Sequence, residues 1–83
     1  MNDFIIHPGE TIHDILAERG ITQEELSTRT GFDLSYIADV ISGKKDISEQ
    51  FAESLGSVFG VPQSFWLNLQ ANYDKEMKQG GRV

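Results

Sequence analysis

Cysteine is absent from this chain. Neither a disulfide nor a thiolate metal site can hold the fold, so apolar packing must suffice, which fits a cytoplasmic protein. Long apolar runs are missing too. The opening Met1-Asn2-Asp3-Phe4-Ile5-Ile6 lacks the positive charge and apolar length of a signal peptide, and nowhere do about 18 apolar residues follow one another. A soluble chain with no membrane partner is expected. Positive charge is scarce, with seven Lys and Arg against thirteen Asp and Glu and a formal charge of -6. That balance disfavours polyanion binding through bulk charge, because such affinity comes mostly from cations that displace counterions. Signatures of catalysis are also lacking: there is no Ser, His and acid arrangement, no phosphate-cradling glycine loop and no metal cluster. Glu24 and Glu25 point different ways as neighbours on a helix, so they suit capping better than acid-base chemistry, and His7 and His13 stand alone. The expectation is a non-enzyme with no cofactor, metal or small-molecule substrate.

What is present reads as helix. A chain of 83 residues is one domain at most, able to bury roughly 60–65% of its unfolded surface. Periodicity predicts five helices, no strand pairs, no internal repeat and no low-complexity tract, with a domain over 1–78 and a flexible tail over 79–83. The first helix starts at Pro8, buries Ile12, Ile15 and Leu16, and stops at Gly20, with Ile21 folding back. Thr22-Gln23-Glu24-Glu25 is a capping box that opens the second, which ends at Gly31. Asp33 is placed to cap the third, whose apolar face is Ile37, Val40 and Ile41, with Gly43 as its close. Ser48 caps a fourth carrying Phe51, Ala52, Leu55, Val58 and Phe59 to Gly60. Pro62 starts a fifth, with Phe65, Trp66, Leu69, Tyr73 and Met77 on its stripe and Leu67 off it.

The stretch Ile21 to Lys45 carries the functional signal. Two short helices joined through Thr30-Gly31-Phe32 leave the second projecting, and an α-helix of that size fits the major groove of B-form DNA. The third helix nevertheless carries Asp39, with Asp33 ahead of it, and no Lys or Arg. Before Gly43 the basic residues are Arg19 and Arg29 alone, after which Lys44 and Lys45 sit together. Any DNA footprint is therefore local and small, and the acidic body equally suits a basic protein partner. Leu67 and Phe4-Ile5-Ile6 either complete the core or form a symmetric dimer contact, and Trp66 is a core or dimer anchor. A dimer would place two recognition helices about 34 Å apart on a palindrome.

The residues His7-Pro8-Gly9-Glu10, Thr22-Gln23-Glu24-Glu25-Leu26, Ile37, Ser42-Gly43-Lys44, Ile47-Ser48 and Phe65-Trp66-Leu67-Asn68-Leu69-Gln70-Ala71-Asn72-Tyr73 resemble the HigA-type antitoxins of the Xre helix-turn-helix superfamily. The resemblance runs from about residue 5 to residue 76. The same block is similar to the N-terminal part of longer chains fused to an ImmA/IrrE-type metallopeptidase, but no HExxH occurs here.

That resemblance implies an all-α, five-helix bundle of the Xre or lambda-repressor kind. It implies a homodimer that represses its own operon as the antitoxin of a type II toxin-antitoxin pair, and a cognate toxin that is a basic, mRNA-cleaving RNase of the HigB or RelE kind. Carried onto this sequence, Gln23 would touch a phosphate, Leu34, Ser35 and Asp39 would face bases with Tyr36 beside them, and Ser42, Lys44 and Lys45 would hold the backbone. Trp66, Leu67, Phe4 and Ile5 would supply the dimer contact. Asp39 departs from the pattern, since relatives commonly carry a donor there, although an aspartate can accept from cytosine N4. Each residue also has a plainer reading: Leu34 packed beneath the turn, Ser35 in water, Tyr36 laid over the surface, the lysines in a solvated turn. Two other functions remain open, a protein-binding module that has lost its operator and an orphan regulator without a toxin.

Overall fold

A computed structural model describes residues 7–80 of the chain, with side chains from 7 to 77. Five helices follow in order: α1 (Pro8–Arg19), α2 (Gln23–Thr30), α3 (Leu34–Ile41), α4 (Glu49–Phe59) and α5 (Gln63–Gly80), with no strand among the described residues.

Local hydrogen bonding sets most of the boundaries. His7, which the sequence left without a task, is the N-cap of α1: its Nδ1 accepts from the Gly9 N–H at 2.9 Å, so the ring proton of the neutral imidazole sits on Nε2. At the far end Gly20 takes a left-handed conformation with φ 71, and the Ile21 N–H reaches back to the Leu16 carbonyl at 2.9 Å. That pair of features is a Schellman close, and it folds Ile21 onto the core as expected. The Thr22 hydroxyl accepts from the Glu25 N–H at 3.0 Å, whereas the Glu25 carboxylate pairs with Arg29 one turn on at 2.7 Å instead of returning to the cap. Ser48 accepts from Phe51 N–H at 3.1 Å at the head of α4.

Three expected features differ. Asp33 occupies the N-cap position of α3 but makes no side-chain cap bond. Pro62 lies just ahead of α5, its carbonyl accepting from Phe65 N–H at 3.0 Å. Helix α5 itself continues through Gly80, past the expected start of the tail, while 81–83 lie outside the described residues.

One apolar core joins the five helices, built from Ile12, Leu16, Leu26, Ile37, Val40, Ile47, Phe51, Ala52, Leu55, Phe59 and Trp66. Helix α4 packs against α2 and α5, while α1 crosses α3 and α5. The α1–α3 contact is close enough to demand glycine. A Cβ on Gly9 would stand 2.0 Å from the Val40 carbonyl oxygen, so the first turn of α1 lies against the last turn of α3 backbone to backbone.

The stripe on α5 needs correction. Its inner face runs through Trp66, which is 0% exposed, and Gln70, which is 7% exposed. Phe65 lies edge-on against Trp66 at 5.0 Å and faces outward, and Met77 is exposed as well. Trp66 is thus a core residue with no surface to offer a second copy, so its expected dimer role is withdrawn. Leu67 is half-buried against the core. Phe4 and Ile5, the other expected dimer residues, lie outside the described residues.

Candidate nucleic-acid interface

The joint between α2 and α3 is short because its polar groups are satisfied internally. Gly31 turns the chain with φ 80 while its N–H closes α2 on the Ser27 carbonyl at 2.8 Å. The Ser27 hydroxyl donates to the Phe32 carbonyl, and the Thr30 hydroxyl accepts from the Phe32 N–H at 3.3 Å. Helix α3 leaves this joint with Ile37 and Val40 wholly buried. The opposite side presents exposed Ser35 and Ser42 with half-buried Ala38 and Asp39 between them, and Leu34 stands 41% exposed at the front edge. Helix α3 thus carries a free convex face of short side chains, with Asp39 as its one formal charge.

Beyond α3 the chain folds back on a single carbonyl. The Asp39 carbonyl accepts from Lys44 N–H at 2.7 Å, from Lys45 N–H at 3.3 Å and from the Ser42 hydroxyl at 3.1 Å, while Gly43 turns with φ 87. Both lysines are therefore fixed at the C-terminal end of α3, where the helix dipole favours cations. Lys45 Nζ lies 3.8 Å from Asp39 Oδ2 and 5.9 Å from the centre of the Tyr36 ring. Lys44 is exposed and has no ion-pair partner among the described residues.

Tyr36 and Gln70 anchor this corner to the body. The Tyr36 ring packs against Phe32 and Phe51, and its hydroxyl donates to the Asp46 carbonyl at 2.7 Å and accepts from Ser48 N–H at 3.2 Å. Gln70 reaches from α5: its carbonyl accepts from Ile47 N–H at 2.8 Å, and its amide donates to Asp46 at 3.1 Å and Asp74 at 3.0 Å. His7 joins the edge of the cluster, 4.0 Å from Asp46 and edge-on to Tyr73 at 4.7 Å. Gln70 escaped the sequence reading, although its spacing four residues after Trp66 and four before Asp74 marked it as polar on the buried stripe.

The structure thus brings Leu34, Ser35, Tyr36, Asp39, Ser42, Lys44 and Lys45 together on α3 and the turn that follows. Gln23 opens α2, half-buried beside a shallow depression lined by His13, Leu16, Ala17, Ile21 and Thr22. Among the described residues no acid, cysteine and histidine cluster could hold a metal, and no helix is long and apolar enough to cross a membrane.

The family model described as helix-turn-helix matches residues 12–64, a span that contains α2, α3 and both lysines. The chain belongs to the helix-turn-helix family. An antidote protein of a plasmid maintenance system from Nostoc punctiforme superposes on this helix-turn-helix protein with a TM-score of 0.89 at 34% identity, over 93% of this chain and 85% of that one. The Pseudomonas aeruginosa antitoxin HigA, solved with the higBA promoter, matches with a TM-score of 0.85 at 29% identity over 95% and 89%. Virulence-associated protein A' of Dichelobacter nodosus is 35% identical over 69 residues, 82% of this chain. The chain spans 60% of that protein's length. The resemblance to HigA-type antitoxins read from the motifs is therefore met in the all-α fold and in the relatives.

Proposed function

We propose that this helix-turn-helix protein is the antitoxin of a type II toxin-antitoxin pair and represses its own operon. The observation that carries the reading is the free convex face of α3, set out by the Gly31 turn and closed by an exposed lysine. Its likeness to an antitoxin solved with promoter DNA supports the same assignment. Leu34, Ser35 and Asp39 meet base edges, Tyr36 flanks them, Gln23, Ser42 and Lys44 hold the strand on either side, and Lys45 completes the positive corner beside Lys44.

One copy makes few cationic contacts, so the protein acts as a cytoplasmic homodimer on a palindromic operator, through Leu67 and the Phe4-Ile5 segment. The acidic surface neutralises a small basic toxin, an RNase of the HigB or RelE kind. A gel shift against the DNA upstream of the gene, at several salt concentrations, tests the first half. Sequence-preferential binding with a shallow salt slope is expected, and Lys44→Ala, which removes one phosphate contact from each copy of the dimer, lowers that slope by about two. Co-expression with the adjacent reading frame tests the second half. A small basic protein that co-purifies while no DNA is bound would favour the protein-binding module instead, a reading to which Asp39 on α3 lends weight.

A further inference from the structure

Asp39 brings a negative charge to the face that would enter a polyanion, and the structure gives that carboxylate its own counter-ion. Lys45 is tied to Asp39 twice, through its N–H on the Asp39 carbonyl at 3.3 Å and through Nζ at 3.8 Å from Oδ2. The Tyr36 ring beneath the ammonium is itself held, because its hydroxyl is engaged by Asp46 and Ser48. Neighbouring Lys44 has no such tie among the described residues.

We infer that the two adjacent lysines divide the work: Lys44 grips a phosphate, whereas Lys45 neutralises Asp39 so that Asp39 sets the base preference of the helix. The inference rests on the reading of α3 as the DNA-facing helix. In water an exposed pair such as this is worth little, with side chains 57% and 36% exposed. In a groove lined by phosphates, with water displaced, an uncompensated carboxylate is strongly repelled, and its resident cation makes its entry tolerable.

The chemistry then chooses the base. A carboxylate accepts hydrogen bonds and donates none. In the major groove the donors are the amino groups of cytosine N4 and adenine N6, whereas guanine offers O6 and N7 acceptors and thymine offers O4 and a methyl group. Asp39 therefore selects an amino base on the strand it faces, cytosine foremost, and rejects guanine and thymine there. The exposed serines on either side carry no charge, so Asp39 dominates discrimination at its position.

The test is a double-mutant cycle read on DNA. Affinities of the wild type, Asp39→Asn, Lys45→Ala, Lys44→Ala and each lysine variant combined with Asp39→Asn are measured on the operator and on duplexes changed one base pair at a time. For the wild type, one position per half-site should lose about tenfold when an amino base is replaced by guanine or thymine. Asp39→Asn, whose amide donates as well as accepts, should lose the preference for cytosine and the exclusion of guanine and thymine, and should tighten binding to unrelated DNA. Lys45→Ala should cost about fivefold in the wild type and under about twofold beside Asp39→Asn, whereas Lys44→Ala costs the same in both backgrounds. Equal cost of Lys45→Ala in both backgrounds, or an unchanged base profile in Asp39→Asn, overturns the inference while DNA binding stands. A wild type that binds no DNA overturns the functional reading and the inference together. Melting curves accompany each variant, and Asp39→Ser carries the same expectation if Asp39→Asn does not fold.

Discussion

Replacing Gln70 with leucine tests how the DNA-facing corner is attached to the body. Gln70 is 7% exposed and its carbonyl is the partner of the buried Ile47 N–H at 2.8 Å. Leucine has similar volume, so packing changes little and the loss is polar. The two carboxylates also lose a donor, but Asp46 and Asp74 are exposed and water replaces the amide. The cost is then set by the stranded Ile47 N–H, about 1–3 kcal/mol, offset in part by the added apolar contact. A net loss of about 1–2 kcal/mol in a domain of this size lowers the melting temperature by about 5–15 °C. Thermal unfolding followed by circular dichroism reads it. Gln70→Glu is the companion, since it keeps an acceptor for Ile47 but adds a third carboxyl beside Asp46 and Asp74. That carboxyl holds its proton more tightly in the folded protein than in the unfolded chain, so the variant's deficit shrinks as the solution is acidified. A Gln70→Leu protein that melts within about 2 °C of the wild type would show that Ile47 does not depend on this bond, and would refute the reasoning.

Gly9→Ala forces a methyl against the backbone of α3, where neither the Val40 carbonyl nor α1 can give way locally. A loss of about 1–3 kcal/mol is expected by urea denaturation, and a neutral result would contradict the backbone contact. Thr22→Ala and Ser48→Ala each remove a side chain that accepts a first-turn N–H, and each should cost about 1 kcal/mol. Asp33→Ala should cost under about 0.5 kcal/mol by the same assay, because its carboxylate makes no cap bond. Trp66→Ala should cost about 3–5 kcal/mol in the chain alone, independent of protein concentration, as expected of a core residue and not of an interface one.

Helix boundaries were legible because their causes lie within a few residues. Thr22 and Ser48 cap as their neighbours dictate, and glycines 20, 31 and 60 stop helices by adopting positive φ at C-terminal positions. The face of α3 was legible for a similar reason, since Ile37 and Val40 at helical spacing could only turn inward. What escaped depends on elements distant in the chain. Gln70 reads as a polar intruder on a helix until Ile47 is placed opposite it, 23 residues away. The apolarity of Phe65 predicts an inward position, but Trp66 takes it and leaves Phe65 on its flank. The Asp39–Lys45 pair spans six positions, which is no helical repeat, and it forms only because Gly43 reverses the chain with φ 87. His7 has no visible task in the sequence because imidazole is an uncommon cap, although a helix that starts at Pro8 already places it at the N-cap position.

Titration of isotope-labelled protein with its upstream operator duplex, followed by amide and side-chain chemical shifts, maps which helix face meets DNA. The largest changes are expected on Gln23, on Leu34, Ser35, Asp39 and Ser42, and on the side chains of Lys44 and Lys45, with α4 almost unmoved. Shifts confined to α4 and the outer face of α5, with α3 unaffected, would contradict it.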